Sequence, residues 1–204
     1  DFRAGQRELA ESVWRAIRRG HPLLAQAPTG IGKTVGTLFP TLKACPGERL
    51  DKVFFLAAKT PGRQLALDSA DLLPRSGANP LRVLELTARE KACEHPDKAC
   101  HPQSCPLAKG FYDRLPQARD AALAQATMAR QPLREAAVAH ELCPYWLGQE
   151  LVRWADVVVG DYNYFFDTSA MLYALAVEQD WRCAVLVDEA HNLVERARQM
   201  YSAE

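Results

Sequence analysis

Ala27-Pro28-Thr29-Gly30-Ile31-Gly32-Lys33-Thr34 restricts most strongly what this 204-residue chain can fold into. It follows a short apolar run, Leu23-Leu24-Ala25-Gln26-Ala27, and precedes a helical pattern over 33–44. A strand, a glycine turn and a helix in that order aim successive backbone N–H groups at one point, at the positive end of the helix, where an anion is stabilised. Gly30 and Gly32 permit the turn, Lys33 supplies charge to the β- and γ-phosphates of a nucleotide, and Thr34 offers a hydroxyl to Mg²⁺. Pro28, Thr29 and Ile31 fill the variable positions, so all eight residues are expected to contribute to nucleotide binding. Ala27 stands where the pattern has its first glycine, a departure that a loop starting on a strand end tolerates. The bland reading is a glycine turn capping a helix; the flanking strand and helix favour phosphate binding.

The remaining periodicity fits the same class. Leu9, Val13, Trp14 and Ile17 lie on one face of a helix expected over 5–19, closed by Gly20-His21-Pro22. Strands are predicted at 23–27, 53–58 and 81–87, with a helix over 63–73 between the last two. Two further runs, 156–160 and 184–187, are short, rich in valine and bounded by polar residues, as in parallel strands buried on both faces. The expected fold class is α/β with a mainly parallel sheet.

The last of these runs ends in Asp188-Glu189-Ala190-His191. Ligands of open α/β sheets bind beyond the carboxyl ends of the strands. There Asp188 is expected to hold Mg²⁺, and Glu189 to orient or deprotonate an attacking water. His191 is a candidate for coupling nucleotide state to a partner domain. An Asp-Glu pair also suits any helix N-terminus, but the phosphate loop upstream supplies the other half of one site.

Between 89 and 153 the pattern changes. Cysteine, histidine and proline crowd 93–106, and alanine-rich helical stretches follow at 117–130 and 132–142. This reads as an inserted, mostly helical subdomain whose small apolar content makes an external staple reasonable. Cys93, Cys100, Cys105 and Cys143 are separated by six, four and thirty-seven residues. Four thiolates suit either a structural Zn²⁺ or a 4Fe-4S cluster, and the lack of close C-x-x-C pairs leaves both open. His95 and His101 read as surface or supporting residues, and Cys45 and Cys183 as inert buried thiols.

Lysine plus arginine equals aspartate plus glutamate at 25 each, so net charge does not announce a nucleic-acid partner. No apolar run reaches the ~18 residues of a membrane span, and no signal-peptide pattern opens the chain; an intracellular, cytoplasmic protein is expected. The absence of an initial Met, and an end soon after the Asp-Glu motif, suggest a piece of something longer.

These motifs together resemble the iron–sulfur superfamily 2 DNA helicases of the XPD and DinG type, in particular the bacterial XPD-like proteins, over essentially the whole chain. Residues 2–6, Phe-Arg-Ala-Gly-Gln, look like the adenine-reading Q motif, which implies that Gln6 contacts the base and Arg3 assists. Residues 27–34 look like motif I. Lys59, Thr60 and Gln64 look like motif Ia, which contacts single-stranded DNA, and 188–191 resembles motif II. The four cysteines look like the family's cluster-ligand positions, and 160–164, Gly-Asp-Tyr-Asn-Tyr, resembles the return into the motor domain.

The resemblance implies a RecA-like P-loop domain formed by 1–88 and 154–204, with the cluster insertion at 89–153. It also implies ATP, Mg²⁺ and a 4Fe-4S cluster, forked or single-stranded DNA as partner, and 5′ to 3′ translocation in a bacterial cytoplasm at the nucleoid. A second motor domain with the arginine finger, and an arch domain after motif II, are expected elsewhere in the full protein. A DNA track past Lys91, Lys98, Lys109 and Arg114, with Phe111, Tyr112 or Tyr145 stacking on bases, competes with a mixed solvated surface. Glu90, Glu94, Asp97 and Asp113 share the stretch, and core packing suits the aromatics better. Two other functions remain: a non-motor ATPase with a zinc insertion, and a single-strand-binding module with a vestigial nucleotide site.

Overall fold

A computed structural model describes residues 3–73 and 81–202; Phe2 of the expected adenine motif lies outside them. The strands hydrogen-bond in the order β3-β2-β4-β1-β5, from Thr127–Met128 (β3), Val83–Glu85 (β2), Val157–Gly160 (β4), Lys52–Leu56 (β1) and Cys183–Val187 (β5). Strand β1 pairs with β5, and β2 with β3, in parallel, so the α/β class with a parallel sheet is observed. The chain divides into two compact units, Asp1–Pro74 with Val159–Glu204, and Arg75–Val158.

The first unit begins with α1 (Gln6–Arg19), which buries Leu9, Ala10 and Val13. Glu8 in its first turn and Arg18 and Arg19 in its last complement the helix dipole. Gly20 closes it in the left-handed conformation, its N–H reaching the carbonyls of Ala16 and Ile17. Helix α2 (Lys33–Glu48) starts directly on the phosphate loop and lies so near α1 that a Cβ on its Gly36 would stand 3.3 Å from the Leu9 Cδ2.

Strand β1 is buried at all five positions and pairs with β5 from Lys52↔Cys183 to Leu56↔Val187. Burial of every β1 side chain explains its unbroken Val-Phe-Phe-Leu sequence, for a strand covered on both faces has no polar side. Helix α3 (Thr60–Asp71) follows with Pro61 in its first turn. The unit is completed by α8 (Asn163–Phe166), α9 (Met171–Glu178) and α10 (Asn192–Tyr201), which follow the return of the chain through β4.

The second unit holds β2 and β3, the single-turn α4 (Arg89–Ala92), α5 (Phe111–Leu123), α6 (Arg130–Ala139) and α7 (Pro144–Leu151). Its core is built from Ala118, Ala122, Leu133, Ala137, Leu142, Leu147 and Leu151, all nearly or fully buried. Each fully buried leucine contributes about 1.5–3 kcal/mol of transfer free energy. Alanines on α5 and α6 let the helices approach closely, which is why that stretch looks poor in apolar bulk yet packs. Arg114 donates to the carbonyls of Lys109 (2.6 Å) and Glu141 (2.8 Å), tying the cysteine-rich loop to the turn before α7.

One expected strand is not formed. Residues 21–28 take no regular structure, and Leu24 is 91% exposed. A strand needs a neighbour for its N–H and C=O groups. Residues 23–27 instead share with β5 the lining of an open cavity of about 1250 Å³, so no ladder joins them.

Candidate functional site

The phosphate loop is held from the N-terminal side. Arg3 donates through a guanidinium N–H to the Gly30 carbonyl, and Gln6 Nε2 donates to the Gly32 carbonyl at 3.3 Å. Gln6 Oε1 accepts from the Arg3 backbone N–H at 3.1 Å. Gly30 and Gly32 both have φ of 84°, and a Cβ on Gly32 would fall 2.5 Å from Gln6 Nε2. The left-handed backbone favours glycine there, and a Cβ would push the Gln6 amide off the loop carbonyl it holds. Arg3 and Gln6, expected to read adenine, thus also brace the loop itself, and a separate hollow lined by Arg3, Gln6, Val35 and Phe39 lies beside them.

Lys33 joins the two halves of the site. Its Nζ donates to the Ala27 carbonyl at 3.4 Å and stands 3.1 Å from Glu189 Oε1. His191 Nδ1 lies 3.4 Å from the other oxygen of Glu189. Ala27, Lys33, Thr34, Asp188, Glu189 and His191 line the same cavity that runs along β5. Residues far apart in sequence therefore meet around one space large enough for a nucleoside triphosphate.

Of the eight loop residues expected to bind nucleotide, Ala27, Lys33 and Thr34 line this cavity. Pro28, Thr29 and Ile31, with Gly30 and Gly32 between and beside them, are not among the residues that line the cavity. Pro28 and Thr29 are exposed, and Thr29 and Gly30 form the turn. Ile31 is half-buried and faces the start of α1, where a Cβ on Gly5 would stand 3.0 Å from Ile31 Cδ1. Gly30 and Gly32 both take the left-handed conformation, and Ile31 is the one residue between them. Ile31 has only its backbone N–H to offer a phosphate, Thr29 has an N–H and a hydroxyl, and Pro28 has no N–H.

The two acids are shifted in opposite directions for physical reasons. Burial, then the neighbouring Glu189, pushes the Asp188 carboxyl up, while Lys33 opposes this. The Lys33 hydrogen bond and charge hold Glu189 below the usual carboxylate range. A half-buried carboxylate next to a second one is stabilised as an anion by a divalent cation, and with the Thr34 hydroxyl on the same cavity the donor set suits Mg²⁺.

Sequence reasoning assigned no role to the groups that fix this pair. Tyr162, fully buried, donates its hydroxyl to the Asp188 carbonyl and lies 3.1 Å from that of Glu189. Burial and the two carboxylates push the tyrosine hydroxyl up, so it stays a donor. Beside it, Asp161 Oδ2 meets Arg63 and Arg196, each at 3.4 Å. Arg63 also donates to the Ala57 carbonyl and Thr60 Oγ1, both at 3.0 Å. The tyrosine in 160–164 was visible as a letter, but nothing in its spacing reveals a hydroxyl aimed at a carbonyl.

Lys59, Thr60 and Gln64 lie at the start of α3 and are exposed; Gln64 Nε2 donates to Asp68 at 2.8 Å. They do not line the nucleotide cavity. In the second unit Lys91, Lys98, Lys109 and Tyr112 are exposed, Phe111 is buried and Tyr145 half-buried. Arg114 is committed to backbone carbonyls, which removes it from a phosphate track.

Of the four clustered cysteines, Cys105 and Cys143 are buried, Cys93 is half-buried and Cys100 exposed; all are free thiols. Burial chiefly pushes the Cys143 thiol up, while the N–H groups of Trp146 and Tyr145 act the other way. The neighbouring Cys93 and Cys100 also raise it, after burial. Backbone donors on a thiol at the start of α7 suit a thiolate ligand. Among the described residues, however, no three His, Cys, Asp or Glu side chains converge closely enough to hold a metal. Cys183 and Cys45, expected as buried, are half-buried; burial still pushes Cys183 up to about 11.

A family model described as DEAD_2 matches residues 78–204. The chain is 28% identical over 141 residues to the "Regulator of telomere elongation helicase 1 homolog" of Anopheles gambiae, covering 60% of this chain and 14% of that one. It is 22% identical over 208 residues to the "General transcription and DNA repair factor IIH helicase subunit XPD" of Dictyostelium discoideum, covering 88% and 26%. The chain thus spans about a quarter or less of these relatives. A solved "XPD_Helicase" superposes with a TM-score of 0.69 at 20% identity over 98% of this chain and 34% of its own. A "Truncated XPD" gives 0.61 at 20% identity over 95% and 54%. No helix of the described residues is long and apolar enough to cross a membrane.

Proposed function

The chain belongs to the DEAD_2 family, and on that premise we propose that it is the first motor domain of an ATP-dependent DNA helicase. The observation that carries this is the approach of Lys33 to Glu189, 3.1 Å apart, on the cavity that Thr34 and Asp188 also line. Residues 27–34 receive the phosphates of ATP, Thr29 and Ile31 through backbone N–H groups and Lys33 through its charge on the transferring group. Thr34 and Asp188 would hold Mg²⁺, which would supply positive charge to the phosphates of the nucleotide. Glu189 orients the attacking water by accepting its hydrogen bond, a role that suits a carboxylate kept ionised by Lys33. Arg3 and Gln6 take the adenine, and His191, in contact with Glu189, couples the site to a second motor domain of the full protein.

Lys59, Thr60 and Gln64 contact single-stranded or forked DNA, along which the protein moves 5′ to 3′. The second motor domain supplies the arginine finger, and an arch domain follows α10. In the insertion at 89–153, Cys93, Cys100, Cys105 and Cys143 would hold a 4Fe-4S cluster, which would serve as a structural staple near the strand-separation point. The resemblance of these four positions to the family's cluster ligands favours the cluster, and zinc on the same thiols is the second reading. The expected location is the bacterial cytoplasm, at the nucleoid.

The test is DNA-stimulated ATP hydrolysis by the full protein bearing Lys33→Ala or Glu189→Gln. Both abolish turnover on this reading, and retained hydrolysis in both refutes the site. Anaerobic purification separates the metals: a brown protein containing iron and sulfide supports the cluster, and a colourless one holding zinc refutes it.

A further inference from the structure

We infer that Tyr162 is a positioning residue for the Asp188–Glu189 pair, its buried hydroxyl holding the backbone turn that aims Glu189 at Lys33. This rests on the hydrolytic reading of the site proposed above.

Strand β5 ends at Val187, and the chain must leave it within two residues for both acids to face the cavity. Glu189 achieves this with φ of 50°, in the left-handed region. A residue with a Cβ takes that conformation only where its surroundings hold it. Those surroundings are donors on two carbonyls. The Asp188 carbonyl receives the Tyr162 hydroxyl. The Glu189 carbonyl has the same hydroxyl at 3.1 Å, the Asn192 backbone N–H at 2.9 Å and Asn192 Nδ2 at 3.0 Å. Asn192 belongs to the helix that follows the turn and moves with it. Tyr162 comes from the far end of β4 and is therefore the fixed reference.

Tyr162 is itself well anchored. Its ring is fully buried, and the preceding Asp161 is clasped by Arg63 and Arg196. The hydroxyl bonds to carbonyls, so it acts through geometry: it sets where the carboxylates stand, not what charge they carry. Loss of the hydroxyl leaves the Asp188 carbonyl without that donor and the Glu189 carbonyl to Asn192, while the Asp188 N–H keeps its bond to the Leu56 carbonyl at 2.9 Å; a small drift of Glu189 is enough to misplace a water for in-line attack. Nucleotide affinity, which comes mainly from residues 27–34, is left intact.

Tyr162→Phe removes one oxygen and keeps the ring. In the full protein it should lower kcat for DNA-stimulated ATP hydrolysis by on the order of 10- to 100-fold, as outer-shell partners of a metal site do. KM for ATP should change by less than about twofold, the split expected when only transition-state geometry is lost. The Mg²⁺ midpoint for turnover should rise, while metal-free ADP binding stays at the wild-type value. A merely structural tyrosine would lower thermal stability without that split. Wild-type kcat and Mg²⁺ midpoint in Tyr162→Phe, with Glu189→Gln inactive, overturn the positioning role alone. Wild-type turnover in Glu189→Gln overturns the hydrolytic reading and this inference with it. A Tyr162→Phe protein that fails to fold also overturns it, since the hydroxyl would then belong to the core.

Discussion

Gly62, in the first turn of α3, lies so close to Asp188 that a Cβ there would stand 3.0 Å from the Asp188 Oδ2, and 3.2 Å from the Ala57 Cβ. The residues proposed to meet DNA, Lys59, Thr60 and Gln64, surround this glycine on the same turn. Any residue larger than glycine at this position would crowd the carboxylate proposed to hold Mg²⁺.

Gly62→Ala tests the contact. Alanine favours a helix over glycine by up to about 1 kcal/mol, which offsets part of the strain of the added methyl. Stability should change by no more than about 1 kcal/mol in either direction. The Asp188 side chain has to turn aside, so Mg²⁺-dependent nucleotide binding should weaken by about tenfold. Titration with a fluorescent ADP analogue, with and without Mg²⁺, checks this: the loss should vanish when the metal is omitted.

The Lys33–Glu189 pair makes a pH prediction. Asp188 is raised from 3.8 by burial and by Glu189, and Lys33 opposes the shift. A raised carboxyl contributes stability below its unfolded pKa, and that contribution is lost as pH rises through the folded value. Glu189 is depressed from 4.5, so its contribution is present above that value and lost as pH falls through the folded one. The two effects oppose each other in the acid range. Neutralising Glu189 with Glu189→Gln should bring the Asp188 titration down towards 3.8, and Lys33→Ala should move it further up. Carboxyl ¹³C titration of the metal-free protein reads both directions, and an Asp188 midpoint that ignores both substitutions would refute the coupling.

Much of this site could be read from the chain because its chemistry is local. Gly30, Gly32, Lys33 and Thr34 need only a turn and a helix start, and α2 does begin at Lys33. The motif does not say which side chains line the cavity; among 27–34 those are Ala27, Lys33 and Thr34. The β1 run announces itself because a strand buried on both faces admits few polar residues; β5 is as apolar, yet of its five residues only Ala184 is buried, the strand lying along the open cavity. Residues 23–27 look equally apolar, yet a strand exists only where a neighbour completes its hydrogen bonds, and apolarity does not say which neighbour is present. Tyr162 and Gly62 were illegible for a related reason. Their importance lies in distances to Asp188 and Glu189, and contact across a fold leaves no periodic trace.

In the second unit Leu147 of α7 is fully buried, next to Gly148, whose Cβ would stand 3.3 Å from Leu133 Cδ2. Leu147→Ala opens a cavity where the close-packed helices cannot collapse, at a cost of about 2–5 kcal/mol. Denaturant unfolding should show that loss. Metal-free ADP binding at low denaturant should be unchanged, because the loop at 27–34 belongs to the other unit.

Cys143 offers the sharpest test of the metal. Its thiol is buried, pushed up by that burial, and yet receives the N–H groups of Trp146 and Tyr145, which stabilise a thiolate. A buried thiol with no metal would stay protonated and make little use of those donors. With a metal bound, the charge is neutralised and the donors tune the ligand, as they do around iron–sulfur sulfurs. Cys143→Ser keeps the volume and weakens the ligand, so iron and labile sulfide per chain should fall together by more than half, with the visible chromophore fading in proportion. Cys183→Ser, outside the cluster of four, should keep both. Equal metal content in wild type and Cys143→Ser would remove Cys143 from the ligand set, and loss of zinc in place of iron would assign the same thiols to a structural zinc site.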